Sequence, residues 1–221
     1  DVDEAFYVQH GFINIWGDTI IPMQYAFASH FSDGLCMVAK DMEHISYINT
    51  KGEVVITTDY AIDGMMKVNG SYDFSEYDFA DGLVTVRQDG LAGVMDQNGK
   101  LVIDFNFDAI GKFSEGLAPA SIDGQWGFID TTGTFIIPPQ FMTAEQFSNG
   151  LSMVCVGESS WDCKYTLIDR KGKPLFEPFI LGTLDFNTPM LFKEGYIPCV
   201  VAPGMFGFVD RSGNIIWETK L

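Results

Sequence analysis

Basic residues are scarce in this chain of 221 residues: 13 Lys and Arg stand against 30 Asp and Glu, a formal net charge of -17. Such a surface repels phosphate backbones and anionic headgroups, because the electrostatic term dominates binding to both. Nucleic acid and membrane surfaces are therefore not expected as partners. The sequence also lacks a run of about 18 apolar residues that would span a bilayer. Its start, Asp1-Val2-Asp3-Glu4, has neither the basic residues nor the apolar stretch of a signal peptide. A soluble chain is expected, and a start without Met fits either a processed protein or a trimmed one.

Catalytic groups are few. The three histidines, His10, His30 and His44, all fall in the first fifth of the chain, without HExxH spacing. Packing or surface placement accounts for them better than metal ligation or base catalysis. A Gly-x-Ser-x-Gly elbow, a phosphate loop and a dinucleotide fingerprint are all missing, and no cofactor is expected. Asp96, Asp130, Asp169 and Asp210 recur one per turn, and none lies in the D-x-[DN]-x-[DN]-G spacing of a calcium loop. Turn formation explains them better. A pair of glycosidase carboxylates is not singled out by anything in the sequence.

What the chain does have is a hydrophobic content of 47%, an aromatic content of 14%, and a repeat. A glycine or small residue, two apolar residues, Asn or Asp, two further residues and Gly recur six times. The copies run from Gly11 to Gly17, Ser46 to Gly52, Gly93 to Gly99, Gly127 to Gly133, Thr166 to Gly172 and Gly207 to Gly213. A second signature alternates with the first, as in Phe31-Ser32-Asp33-Gly34-Leu35, Phe79-Ala80-Asp81-Gly82-Leu83 and Phe147-Ser148-Asn149-Gly150-Leu151. Gly93 and Gly127 are 34 residues apart, as are Phe113 and Phe147.

An Asn or Asp three residues before a Gly makes a tight turn. The short side chain bonds the turn backbone, and Gly takes the left-handed conformation. Each copy is thus a hairpin, preceded by a third strand that follows the Phe signature and turns at Asp89-Gly90 or Asp123-Gly124. Consecutive apolar residues such as Phe135-Ile136-Ile137 imply burial on both faces, so neighbouring units must cover one another. The predicted fold is all-β: three-stranded meanders in an open, solenoid-like array, with a six-unit propeller-like ring as the alternative. The open form is preferred because Asp1 to Ala5 is too polar for a third strand in the first copy. The expected organisation is a single repeat domain over residues 1–221, with about six repeats starting near 11, 46, 93, 127, 166 and 207.

Gln125-Trp126-Gly127-Phe128-Ile129-Asp130, with Gly133, Ile136-Ile137-Pro138-Pro139-Gln140-Phe141 and Phe147-Ser148-Asn149-Gly150-Leu151, resembles the WG repeat of bacterial proteins. The likeness extends over roughly residues 11 to 217, although Trp precedes the Gly only at Trp126. Trp16-Gly17 lies in another register. The resemblance implies a β-repeat architecture and interaction roles, and it brings no catalytic residues.

Departures from the period point to function. The step from turn Gly to signature Phe is 14 residues from Gly17 to Phe31, but 27 from Gly52 to Phe79 and 20 from Gly172 to Phe192. A further insertion lies at Gly157 to Asp162. Inserted loops carry binding more often than scaffold does, which makes Tyr72, Tyr77 and Trp161 the candidate binding residues. Cys155 and Cys163 flank the last insertion on strands expected to run antiparallel. A disulfide there and two free buried thiols both fit the sequence, and a disulfide would favour an extracellular or periplasmic location.

The expected function is a non-catalytic module that binds a protein or a surface glycan through these loops. The alternatives are a structural protein self-associating through sheet edges and, third, a glycan-active hydrolase.

Overall fold

The computed structural model describes residues 9–41, 44–60, 66–68, 71–73, 75–157, 163–175, 196–202, 205–210 and 214–220. Among them the only helical element is a 3-10 turn at Ser75–Tyr77, and the rest of the regular structure is β. The polar residues 1–5, on which the preference for an open array rested, lie outside the described residues. The chain divides into two compact units, Asp1–Phe107 and Asp108–Leu221.

The first unit holds the hairpin His10–Ile13 with Thr19–Tyr25 and a meander of Phe27–Ala28, Leu35–Ala39, Ser46–Asn49 and Val54–Thr57. A small hairpin, Met66–Val68 with Ser71–Asp73, and the meander Leu83–Gln88, Leu91–Asp96 and Leu101–Phe107 complete it. The second unit holds three meanders. They are Ala109–Ile110 with Leu117–Ile122, Gln125–Asp130 and Phe135–Phe141; Thr143–Ala144 with Leu151–Val156 and Lys164–Asp169; and Tyr196–Ala202 with Met205–Asp210 and Ile215–Lys220. All pairing is antiparallel between strands consecutive in sequence, and among the described residues no sheet closes into a barrel. Tandem meander repeats are thus the architecture.

Two turn types recur among the described meanders, and each follows from residue chemistry. At the hairpin tip of the fourth repeat, Gly133 N–H donates to Asp130 O at 3.0 Å and Asp130 N–H to Thr134 O at 2.9 Å. The Asp130 carboxylate caps the loop by accepting from the N–H groups of Thr132 and Thr134. This is a type I turn closed by a left-handed Gly. The other turn, Asp-Gly between the first two strands, is tighter: φ is +53° at Asp123 and +73° at Gly124. The Phe signature uses the same geometry. Asp33, Asp81, Glu115 and Asn149 have φ between +51° and +56° ahead of their glycines. Sequence reasoning placed only Gly in this region, whereas a two-residue turn matching strand twist requires positive φ at both central residues.

The core lies between successive meanders. Met37, Tyr47 and Ile56 pack with Phe79, Val86 and Met95 on one side, while Cys36, Val38 and Ile48 pack with Ile21 and Tyr25 on the other. The strand Leu35–Ala39 is buried along its whole length, as two-faced burial demands. Third strands differ from that expectation: Ile137 is buried but Ile136 is 49% exposed, because this strand has only one neighbour in its sheet.

The mid-strand Gly answers a local crowding. In the first, third and fourth repeats the third strand bulges opposite it: His10 and Phe12 pair with Tyr25 and Ile21, and Trp126 and Phe128 with Phe141 and Ile137. A Cβ at Gly127 would collide with Ile137 O, and one at Gly93 would stand 2.8 Å from Ile103 O. Where Ser46 takes the position, it pairs directly with Thr57, without a bulge at that point. Gly127→Ala is therefore expected to cost roughly 1–3 kcal/mol, the range for overpacking. Ser46→Gly should cost no more than about 1 kcal/mol, the entropic penalty of Gly in a strand. Denaturant titration of both variants checks this, and a neutral Gly127→Ala would mean that the bulge yields freely.

Candidate functional site

Repetition defines what each position normally does, so a site stands out where one repeat departs from the others. The residue before the turn Asn or Asp is Ile48, Met95, Ile129 and Ile168 in repeats two to five, each no more than 1% exposed. Its counterpart in the first repeat, Ile13, is 69% exposed. The two residues inside the turn are Thr50-Lys51, Gln97-Asn98, Thr131-Thr132, Arg170-Lys171 and Arg211-Ser212 in the later copies. In the first copy they are Ile15 and Trp16, 90% and 80% exposed. Ile20 and Met23 on the following strand are also exposed. The turn itself is well formed: the Asn14 side-chain oxygen accepts from the N–H groups of Trp16 and Asp18, both at 2.9 Å. A rigid tip thus holds an apolar cluster in solvent, the kind of surface that marks interaction sites. Arguing from inserted loops does not lead here; aligning the six turns does.

Beside this hairpin lies an open cleft of about 470 Å³, lined among others by Tyr25, Val38, Lys40, Asp41, His44 and Thr57. His44 N–H donates to Asp41 Oδ1 at 3.1 Å, and Nδ1 of the ring is 3.6 Å from the same oxygen. Both side chains are more than half exposed. His30, 82% exposed, stands 3.7 Å from the Asp78 carboxylate. Among the described residues no group of three or more His, Cys, Asp or Glu is placed to hold a metal ion.

The residues expected to bind fare differently. Tyr77 is a correction: it is 2% exposed and belongs to the core with Tyr47 and Phe79, and its carbonyl accepts from the Tyr47 hydroxyl at 3.2 Å. The 3-10 turn Ser75–Tyr77 folds the end of the insertion back against the following strand, which is why an aromatic there is consumed by packing. The backbone at Tyr72 is in the strand Ser71–Asp73, and its side chain lies outside the description. Trp161 lies outside the described residues. Cys155 and Cys163, with Cα atoms 5.6 Å apart, are joined by a disulfide at the base of the insertion. Cys36 is a free, buried thiol whose pKa burial pushes up to about 11.

The turn carboxylates serve the backbone. Asp96 is held below its ordinary pKa chiefly by the N–H of Lys100, Asp130 by the Thr132 hydroxyl, and Asp169 by the N–H of Lys173. Each carboxylate is turned onto its own loop.

Residues 11–41, 93–126 and 126–158 match the model of the WG containing repeat. The chain carries WG repeats. The matched segments begin with the three copies in which the mid-strand Gly faces a bulged third strand. No curated protein matches the chain. Several solved structures are similar in fold. BamB from Moraxella catarrhalis is 15% identical at a TM-score of 0.46, over 86% of this chain and 62% of that one. The WD40 beta propeller domain of Doa1 is 12% identical at 0.41, over 88% and 67%. A eukaryotic initiation factor is 12% identical at 0.50, over 87% and 64%. The WG-repeat chain therefore spans less than two thirds of the BamB and initiation-factor structures.

Two outcomes follow for the WG repeats. Tyr77→Ala should destabilise by roughly 3–5 kcal/mol, the cost of removing a buried aromatic, and Phe128→Ala should match it. Equal denaturation midpoints for wild type and Tyr77→Ala would remove Tyr77 from the core. Because the folded pKa values of Asp96, Asp130 and Asp169 lie below the ordinary 3.8, their contribution is present above that pH. It is lost as the pH falls through the folded values. Thermal midpoints should drop less steeply below about pH 4 in the triple Asn variant than in wild type. Asn keeps the accepting oxygen, as Asn14 and Asn49 already do.

Proposed function

We propose that this chain is a non-catalytic repeat scaffold that binds a protein partner through side chains its own stack does not use. The observation that carries the reading is the first WG hairpin, where Ile15 and Trp16 stand 90% and 80% exposed at positions that are polar in every later turn. An exposed aromatic on a rigid tip offers large contact area with little side-chain entropy to lose. Tyr72 and Trp161, in inserted segments, are further candidate contacts, and a surface glycan is the other ligand class such aromatics would suit.

The core supports a scaffold reading. Its buried polar side chains are satisfied locally: Ser29 Oγ accepts from Met37 N–H at 3.1 Å, and Thr58 Oγ1 donates to Ile45 O at 2.9 Å. Among the described side chains no buried N or O atom lacks a partner.

The immobilised chain, used as bait against proteins of its native source and against a glycan array, tests the reading. Substituting Ile15→Thr with Trp16→Lys installs the pair of the second repeat. It should weaken capture of the protein partner at least tenfold and leave the thermal midpoint within about 2 °C, since exposed substitutions change stability little. Undiminished capture by this variant and by Tyr72→Ala and Trp161→Ala would sink the reading, and binding confined to the glycan array would replace it.

A further inference from the structure

Polar side chains elsewhere in this fold bond their own surroundings, as the turn carboxylates and the core hydroxyls of Ser29 and Thr58 do. The cleft of about 470 Å³ between the first hairpin and the second meander is different. Five polar side chains of its wall, Gln24, Tyr25, Lys40, Ser46 and Thr57, make no side-chain hydrogen bond or ion pair among the described residues.

Tyr25 separates packing from chemistry. It is 6% exposed and holds, opposite His10, the ladder position that Phe107 and Phe141 hold opposite Ala92 and Trp126. A phenylalanine meets the packing need there, so the hydroxyl is extra. No buried side-chain oxygen lacks a partner among the described residues, and this one has none, so it reaches the cleft that Tyr25 lines.

The cleft also coincides with two departures of the second repeat from the others. Val38, Ser46 and Thr57 pair in a row across three strands, so their side chains share one face, on which Val38 packs with Tyr25. In the third and fourth repeats the middle of that row is Gly93 or Gly127, and the bulged third strand takes the space of a Cβ. Opposite Ser46 the strand is straight, which leaves room for two hydroxyls. The turn before Ser46 is one residue longer than those before Gly93 and Gly127. Its Asp41 accepts from the His44 N–H at 3.1 Å and stands 3.6 Å from the same imidazole. Lys40 opens that turn, a cation without an ion-pair partner among the described residues of a chain whose net charge is -17.

We propose that this cleft binds one hexuronic acid unit, its carboxylate on Lys40 and its ring hydroxyls on Tyr25, Ser46, Thr57 and Gln24. A single cation among neutral groups that both donate and accept matches a ligand with one carboxylate and several hydroxyls. A bare carboxylate would leave the hydroxyls unused, and a neutral sugar would leave the cation unpaired. An amino acid would need a carboxylate for its ammonium, and the Asp41 carboxylate is turned onto His44. The volume lies within the range of small-molecule pockets, roughly 300–1,000 Å³. This site goes beyond the protein-binding surface, since none of its groups belongs to the Ile15-Trp16 tip.

Galacturonic acid, titrated into the isotopically labelled full chain and followed by amide chemical shifts, is the probe, with galactose and acetate as controls. Saturable shifts are expected around Lys40, Ser46 and Thr57, with galacturonic acid binding at least tenfold tighter than either control. Lys40→Gln should abolish the preference over galactose. Lys40 is exposed, so this variant leaves the core untouched. Tyr25→Phe should weaken binding at least threefold with an unchanged thermal midpoint, since the ring is kept. No saturable shift at tens of millimolar galacturonic acid overturns the proposal, as does binding that both variants leave at wild-type strength. Equal affinity for galactose or for acetate overturns it too, the first by removing the role of Lys40 and the second that of the hydroxyls. Ile15→Thr/Trp16→Lys should bind the probe as wild type does, so loss of protein capture and loss of sugar binding are separate results.

Discussion

A three-stranded meander whose first strand is apolar on both sides cannot be covered by its own sheet, and the rest of this structure depends on how neighbours cover it. Leu35–Ala39 is buried throughout because Ile21 and Tyr25 lie on one side, and Phe79, Val86 and Met95 on the other. The cover is positioned by two recurring contacts, Ile on the next turn Gly and signature carboxylate on the next signature N–H, as from Asp33 to Gly82 and from Glu115 to Gly150. Burying a full aliphatic side chain is worth roughly 1.5–3 kcal/mol, while a charge-assisted bond at an exposed turn adds less. The apolar contact supplies most of the stability, and the carboxylate sets register.

This division explains the glycines. A turn Gly is needed for left-handed backbone and also because the preceding repeat's Ile occupies the space a Cβ would take at Gly52, Gly99 and Gly172. The mid-strand Gly is needed only where the third strand bulges toward it, as at Gly127, and gives way to Ser46 where the strand runs straight. One residue type thus meets two different physical demands within a single repeat.

The proposed binding surface lies where one turn departs from the other copies. The first hairpin keeps the turn geometry of the later ones while Ile13, Ile15 and Trp16 stand exposed. The opposite happens at Tyr77, where a 3-10 turn draws a residue beside an insertion back into the core.

The sequence by itself determined the all-β class, the tandem meanders, the hairpin turns and the family, because each rests on short-range chemistry. An Asn or Asp bonds its own loop, a Gly three residues on takes positive φ, and apolar strands demand neighbours. The odd turn Ile15-Trp16 stands in the same six copies, yet the insertions pointed instead to Tyr72, Tyr77 and Trp161. Only the tertiary structure decided which apolar residues are covered. Ile13 and Ile48 are the same residue in the same motif, one 69% exposed and the other fully buried, because Ile21 and Tyr25 of the preceding hairpin pack with Ile48. Tyr77 likewise reads as a loop aromatic until the chain folds back on itself. Burial depends on residues distant in sequence, here about one repeat away, and no local pattern encodes whether that neighbour is in place.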